Sequence, residues 1–190
     1  MTHTPLLGQK VAFLVANGFS EKDLLEAQRG VQALGGNTRI VSMDQGLVNS
    51  WNGQSWGLNF AVDQTLNTAL GADYDILVVP GGHKSAEKLQ LTAHTKRFIK
   101  SFMDTGKPVV MLNEAVDLLV FSELVAGRTV AGEPVLVDRV GKAGGVRADG
   151  PIAVDGNLIT CVLNDDNAGD VVEQIKSFLT SACMAEAVAA

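Results

Sequence analysis

Four short, mainly apolar runs recur along the chain, at residues 11–16, 39–43, 75–79 and 109–112. Each run is too short for a helix, and none shows the strict alternation of a strand with one wet face. Such runs are typical of strands that are covered on both faces of a parallel sheet. We therefore predict that these four runs form the central strands of a mostly parallel sheet.

Apolar residues with helical spacing occupy the stretches between the predicted strands. Ser20 has the chemistry of an N-cap for the first helix, and Gly35 marks the end of that helix. The same spacing predicts helices at about 92–105, 115–124 and 167–182. This alternation of strands and helices predicts an α/β fold in which helices cover both faces of the sheet.

Two further segments lie outside the strand–helix alternation. Residues 46–63 are punctuated by glycines, and we predict a small hairpin or excursion beside the main sheet. Near the end of the chain, Asp155-Gly156 separates the apolar runs 151–154 and 157–163. Because Asp-Gly suits a tight turn between paired strands, these two runs are predicted to form a hairpin.

The composition describes a chain that can bury a large core. Of its 190 residues, 46% are hydrophobic and 19% are charged, and no linker or repeat divides them. We expect one domain over residues 1–190, with its core at about 9–180 and flexible tails at 1–8 and 184–190.

Charge and apolar patterning exclude several classes of partner. A formal net charge of -6 at pH 7 offers no basic surface for nucleic acid. No apolar run approaches the roughly 20 residues that cross a bilayer, and the first residues lack the layout of a secretory signal. The two cysteines, Cys161 and Cys183, make no disulfide framework. We expect a cytoplasmic protein with neither a nucleic-acid nor a membrane partner.

Ligand sites of open parallel sheets lie beyond the carboxyl ends of the strands. In this chain those ends lead into four loops, at 17–23, 80–84, 113–115 and 163–167. The first loop has neither glycine-rich phosphate-binding motif, so we expect no nucleotide or flavin cofactor. Histidines and cysteines do not stand at the spacing of metal ligands, so we expect no metal site.

The loop at 113–115 has the layout of a nucleophile elbow, in which a strand turns sharply into a helix. Asn113 follows the strand, and Glu114 and Ala115 lead into the helix. Asparagine tolerates the backbone angles of such a turn, but it is not a nucleophile for acyl or carbonyl chemistry. If Asp23 and Glu114 meet above this turn, their repulsion raises one apparent pKa. The alternative is that Glu114 simply faces solvent.

Four ordered segments resemble the ThiJ/PfpI superfamily, which includes the Parkinsonism-linked protein deglycase. The resemblance covers about residues 9–180 and implies a flavodoxin-like three-layer α/β/α sandwich that assembles into dimers or larger oligomers. A fainter resemblance is to the C-terminal domain of large catalases, which shares the fold and lacks the nucleophile. The chain has no haem domain, so catalase activity is not implied. The four segments are 16–24, 75–82, 106–109 and 154–160, and the fainter resemblance rests on Asp117-Leu118-Leu119.

The superfamily resemblance also implies a role for each candidate site residue. Asn113 stands where the family carries its cysteine, and Asp23 stands in place of the acid, usually Glu, that hydrogen-bonds this cysteine. Gly81 and Gly82 correspond to the turn that offers N–H groups to a developing oxyanion. Glu133 stands near the place of a histidine that assists in some members.

Two functions are compatible with these residues. The first is a stress-related binding or interaction protein that has lost the cysteine chemistry and accepts a small-molecule ligand. The second is a cysteine-independent enzyme of hydratase, lyase or isomerase type, with Asp23 or Glu114 as general base on a small carbonyl or hydroxy compound. In both cases the pocket is expected to include His83 and Ala115 as well.

An apolar cluster lies in the predicted excursion. It consists of Trp51, Trp56, Leu58 and Phe60, and such clusters outside the main pattern are natural places for an interface. We expect a homodimer that buries part of residues 46–60.

Overall fold

The structure is a computed structural model that describes residues 4–189, without the side chains of Val137 and of 186–189. A seven-stranded sheet forms its centre. The strands along the chain are β1 Lys10–Val15, β2 Phe19–Ser20, β3 Asn37–Ser42, β4 Leu47–Trp51, β5 Trp56–Ala61, β6 Gln64–Thr65, β7 Ile76–Val79, β8 Val109–Leu112, β9 Thr129–Val130, β10 Val146–Arg147, β11 Ile152–Asp155 and β12 Leu158–Cys161.

The sheet has the order β11-β12-β8-β7-β1-β3-β6. All neighbouring strands in it run parallel except the edge pair β11 and β12, which is antiparallel. The strands β1, β3, β7 and β8 match the four predicted runs to within two residues at each end. The predicted central strands of a mostly parallel sheet are therefore confirmed.

Six α-helices within the described residues cover the two faces of the sheet. Three of them lie where the apolar spacing predicts helices, namely α1 at Glu21–Ala33, α3 at Ala93–Thr105 and α6 at Ala168–Ala189. Helix α6 is longer than predicted, since it was expected to end near 182. The predicted helix at 115–124 is a 3-10 turn at Asn113–Val116 followed by a short α-helix. The helices are α1 Glu21–Ala33, α2 His83–Leu89, α3 Ala93–Thr105, α4 Asp117–Phe121, α5 Pro134–Lys142 and α6 Ala168–Ala189.

Alternate residues of β1 point to opposite faces of the sheet, and this alternation explains the layers. Val11 and Phe13 join a buried cluster with the apolar faces of α1 and α6. Ala12 and Leu14 join a second cluster with the apolar faces of α2, α3 and α4. Because both faces of the strand are buried, its sequence is continuously apolar, as a strand inside a three-layer sandwich requires.

Both predicted hairpins are present. Strands β4 and β5 pair antiparallel, and together with β2 they form a small sheet with the order β2-β4-β5. Strands β11 and β12 pair as far as Asp155 and Leu158, so the turn consists of Gly156-Asn157, one residue later than the predicted Asp155-Gly156. Gly156 has a φ of 59°, and glycine is the residue that a two-residue hairpin turn favours at a first position with positive φ.

The ends of the chain are more ordered than the sequence predicts over the residues that are described. Leu6 lies in the expected N-terminal tail, yet its side chain is buried and its N–H donates to the carbonyl oxygen of Leu34 at 2.9 Å. An apolar side chain beside the end of α1 thus extends the packed domain to residues before 9. Residues 1–3 and 190 of the expected tails lie outside the described residues. Over the described part of the chain, no helix has the length and apolarity that crossing a bilayer requires.

Candidate functional site

The turn after β8 places Asn113 at the carboxyl edge of the sheet. Its φ is +50°, a left-handed conformation that most side chains avoid and that asparagine tolerates. The 3-10 turn Asn113–Val116 then leads directly into α4, and Ala115 is buried beneath it. The backbone therefore has the strand–turn–helix course of a nucleophile elbow, with an amide side chain at its apex.

The side-chain amide of Asn113 is engaged at both ends. Its Nδ2 donates to Asp23 Oδ2 at 2.9 Å and to the carbonyl oxygen of Leu163 at 3.2 Å. Its Oδ1 accepts from the N–H of Leu163 at 2.8 Å. The amide thus joins the start of α1 to the loop that follows β12, and both of its Nδ2 protons have acceptors.

Asp23 is the most deeply buried acid of the site, with 2% of its surface exposed. Oδ1 accepts from Ser20 Oγ at 2.9 Å, and Oδ2 accepts from both Asn113 and the N–H of Gly81, the latter at 2.9 Å. Burial, which is the largest effect, and the nearby charge of Glu114 together raise the pKa of the Asp23 carboxyl above its ordinary value, although these hydrogen bonds lower it in part.

Glu114 faces the same glycine turn from the other side. Its Oε2 accepts from the N–H of Gly82 at 2.8 Å. A β-carbon added to Gly81 would lie 2.5 Å from Asp23 Oδ2 and 2.7 Å from Glu114 Oε2, so a side chain at Gly81 would clash with both acids. The two acids are therefore brought together across Gly81, which is the first of the two alternatives that the sequence leaves open, and they occupy the two backbone donors of this turn.

A cleft of about 760 Å³ opens beside these residues. Trp51 forms part of its wall, and the Lys84 ammonium lies 4.7 Å from the centre of the Trp51 ring, a cation–π contact. Two ion pairs stand among its lining residues, Lys22 with Asp165 and Arg29 with Glu26. The cleft is lined by residues 20–23, 25–26, 29, 51–53, 82–83, 113–114 and 163–165.

The hairpin wall of the cleft is attached to α1 by Glu21. Its Oε2 accepts from Ser50 Oγ and from the N–H of Leu58, the latter at 2.8 Å. These two hydrogen bonds, the one from Leu58 first, lower the pKa of the Glu21 carboxyl. Glu21 was not among the predicted site residues. An acid in the first turn of a helix is usually exposed, and nothing in the sequence indicates that this one accepts hydrogen bonds from a hairpin about 30 residues later.

Not every predicted pocket residue lies in the cleft. His83 does line it, with an exposed side chain whose Nε2 is 3.2 Å from Glu87 Oε1. Three others do not line it: Gly81, Ala115 and Glu133. Gly81 and Ala115 are buried beside the elbow, and the side chain of Glu133 is exposed at the start of α5. The strand β9 and the bond from the Ala131 N–H to Thr160 Oγ1 hold this segment elsewhere, which an ungapped comparison of sequences could not foresee.

Neither cysteine stands at the elbow. Cys161 is buried in β12, where desolvation raises its pKa to about 12, and Cys183 lies in α6. Within residues 4–189, no three His, Cys, Asp or Glu side chains are grouped so that they could hold a metal ion.

Comparison with known proteins identifies the fold and the family. Residues 9–176 match the DJ-1/PfpI family, and the chain belongs to this family. A deglycase of Pyrococcus horikoshii is 27% identical over 151 residues, covering 80% of this chain and 88% of the relative. General stress protein 18 of Bacillus subtilis is 24% identical over 161 residues, covering 84% and 92% respectively.

Solved structures support the same fold. A DJ-1 superfamily protein from Salmonella typhimurium superposes with a TM-score of 0.78 at 24% identity, and 92% of each chain is covered. The α/β architecture with a mostly parallel central sheet and flanking helices is thus the flavodoxin-like sandwich of the DJ-1/ThiJ structures, as the resemblance implies.

Proposed function

We propose that this chain is a DJ-1/PfpI protein without the family's cysteine chemistry, and that its cleft binds a small-molecule ligand. The observation that carries the proposal is the side chain at the elbow. Asn113 cannot attack a carbonyl carbon, and both ends of its amide are already hydrogen-bonded to Asp23 and to the backbone of Leu163.

The glycine turn beside the elbow supports the same proposal. An oxyanion site needs backbone N–H groups that are available when negative charge develops. Here the N–H of Gly81 donates to Asp23 and the N–H of Gly82 donates to Glu114, so resident carboxylates hold both donors. A reacting oxyanion would have to displace them, at the expense of leaving a carboxylate without its donor.

The relatives suggest a setting for this role. One of them is named as a general stress protein and others as deglycases, so we place this chain among stress-related proteins of the cytoplasm. We also propose a homodimer. Trp56 and Leu58 expose 53% and 55% of their surfaces on the edge strand β5, where a second copy would cover them.

Turnover of methylglyoxal by the purified protein tests the loss of cysteine chemistry. We expect no consumption by the unaltered protein and measurable thiol reactivity in Asn113→Cys. A matched control is Asn164→Cys, which places a thiol on the cleft wall but away from the elbow. Robust turnover by the unaltered protein, or equal reactivity of the two thiol variants, would contradict the proposal.

Binding itself is tested by nuclear magnetic resonance with a set of small aldehydes, keto acids and hydroxy acids. We expect at least one compound to shift the resonances of the Trp51 indole and the Asn113 amide together, because both groups line the cleft. Shifts confined to residues outside the cleft, or none with any compound, would count against a binding role for this site.

A second candidate function rests on the raised pKa of Asp23. Burial raises the pKa of the Asp23 carboxyl, and a carboxyl shifted in this direction is a better proton acceptor when ionised, as a general base must be. An acid/base enzyme would show a bell-shaped rate profile with one of the compounds above, and Asp23→Asn would abolish it. Turnover that is unchanged in Asp23→Asn would exclude this candidate.

A further inference from the structure

The sequence Asn-Gly occurs twice in the chain, at Asn17-Gly18 and at Asn52-Gly53. Asparagine followed by glycine can convert to aspartate because glycine has no β-carbon to shield its backbone nitrogen from the asparagine side chain. The two copies stand in very different surroundings. Asn17-Gly18 follows the carboxyl end of the central strand β1. Asn52-Gly53 lies in the exposed turn between β4 and β5, on the wall of the cleft.

We propose that Asn52 is a site of spontaneous deamidation and that Asn17 is protected from it. In the reaction, the Gly53 backbone nitrogen loses its proton and forms a bond to Asn52 Cγ, and the electron pair of the carbonyl moves onto Oδ1. The carbonyl then re-forms as the bond from Cγ to Nδ2 breaks, and the departing nitrogen takes up a proton from solvent, which replaces the one that Gly53 lost, and leaves as ammonia. Water opens the resulting succinimide at either carbonyl, which gives aspartate or isoaspartate. The balance is one water consumed and one ammonia released, with no change of oxidation state.

Hydrogen bonds in the turn favour this step at Asn52. Its Oδ1 accepts from the N–H of Gln54 at 3.0 Å and from the N–H of Ser55 at 2.9 Å. Both donors stabilise the negative charge that develops on Oδ1 during the attack, as donors in an oxyanion site do. Asn52 Nδ2 donates to Ser55 Oγ at 3.2 Å, which places a hydroxyl beside the departing nitrogen. Among the described residues, the Gly53 N–H donates to no other group, so the attacking nitrogen is free.

At Asn17 the nitrogen that would attack is already hydrogen-bonded. The N–H of Gly18, its would-be nucleophile, donates to the carbonyl oxygen of Asn49 at 2.8 Å, and Gly18 is buried. Asn17 Oδ1 also accepts from a backbone N–H, that of Asn49 at 2.7 Å, so the difference between the two asparagines lies in the attacking nitrogen and in its burial. Attack at Asn17 would have to break the Gly18 bond first, and the loss of one net hydrogen bond slows the step about fivefold.

The product would alter the cleft. Either product adds a carboxylate to the wall that Asn52 and Gly53 form. Isoaspartate also lengthens the main chain by one methylene. Because the turn joins Trp51 of β4 to Trp56 of β5, which are paired across the two strands, we expect the longer turn to shift these two residues relative to each other. These two rings are the only tryptophans of the sequence and pack edge to face, with centroids 5.4 Å apart. Tryptophan fluorescence therefore reports directly on the modified turn.

The test is incubation of the full chain for several days in mildly alkaline buffer, followed by peptide mass spectrometry and enzymatic methylation of isoaspartate. The same chain unfolded in urea gives the reference rate of each Asn-Gly. We expect folded Asn52 to convert no more slowly than unfolded Asn52, and folded Asn17 to convert at least about fivefold more slowly than unfolded Asn17. The fluorescence change should follow the Asn52 product and be absent in Asn52→Gln, whose longer side chain closes a ring far less readily.

Two results would overturn the proposal. One is slower conversion of Asn52 in the folded than in the unfolded chain, which would mean that the turn protects it. The other is conversion of Asn17 as fast as that of Asn52 in the folded protein. Because the readout is a mass change at one peptide, the test does not depend on whether the cleft binds a ligand.

Discussion

Replacing Asp23 by asparagine should leave the protein as stable as before, or more stable, whereas replacing it by alanine should destabilise it strongly. The asparagine amide has the same shape as the carboxyl. Its oxygen can accept from the Gly81 N–H and from Asn113, and its Nδ2 can donate to Ser20 Oγ, so every hydrogen bond of the site keeps a partner. What disappears is the buried charge.

Alanine removes all three hydrogen bonds and leaves the buried N–H of Gly81 without an acceptor. One buried unsatisfied donor and the lost hydrogen bonds together cost about 3 kcal/mol of the free energy of unfolding. For a domain of this length, that corresponds to a fall in melting temperature of roughly 10 °C. Asp23→Asn avoids this loss and should be at least as stable as the unaltered protein near neutral pH, because burial disfavours the ionised carboxyl.

The dependence on pH has a definite sign. The pKa of Asp23 in the folded state lies above its ordinary value of 3.8. Protonated Asp23 therefore favours the folded state fully below about pH 3.8, and this contribution is lost as the pH rises through the folded pKa. Relative to the unaltered protein, Asp23→Asn should become steadily more stable over that range and then keep a constant advantage.

Urea unfolding at a series of pH values measures these differences. Asp104→Asn is a matched control, since Asp104 is half exposed on α3 and forms an ion pair with Lys100, and this substitution should change stability by less than about 0.5 kcal/mol. If Asp23→Asn proves as destabilising as Asp23→Ala at neutral pH, the carboxylate charge itself holds the site together, and our account of its burial is refuted.

Two further substitutions test the surroundings of the site. Arg139→Met should lower the free energy of unfolding, measured in urea, by about 2 kcal/mol, because the buried carboxylate of Asp117 loses its ion pair, in which Arg139 Nη1 lies 2.7 Å from Asp117 Oδ2. Adding Asp117→Asn should restore most of this loss. If the double variant is no more stable than Arg139→Met alone, the ion pair is not the cause. Glu123→Gly should have a free energy of unfolding about 0.5 kcal/mol above that of Glu123→Ala, because residue 123 holds a φ of +60° after α4 and both variants lose the ion pair with Lys96; equal stability of the two variants would show that this backbone carries no strain.

The fold was predictable where a strand is buried on both faces. The runs at 11–16 and 109–112 lie between neighbouring strands and two layers of helices, so every one of their side chains is buried. Consecutive apolar residues therefore identify these strands in the sequence. The strands β2, β6, β9 and β10 have two residues each, too few to carry any period. Helix α5 was missed, although Pro134 in its first turn is a recognised helix-start signal.

The site was predictable where it depends on side-chain type and not where it depends on backbone. Asp23, Asn113 and Glu114 follow strand ends that meet at one edge of the sheet, so the topology alone brings them together. Leu163 contributes only its N–H and carbonyl, which any residue possesses, and no property of leucine could reveal that role. Glu133 shows the converse, because its position depends on the path of a loop rather than on the sheet.

The elbow shows how a strained turn can persist without a nucleophile. A non-glycine residue at a φ of +50° costs about 1 kcal/mol, and at a catalytic elbow that strain serves to expose a reactive atom. Asn113 exposes none, and the strain is instead offset by the three hydrogen bonds of its amide. Serine or cysteine at this place could not span both Asp23 and the two backbone groups of Leu163. The side chain that stabilises the turn is therefore one that offers no nucleophilic atom, which links the stability of this fold to its proposed role in binding.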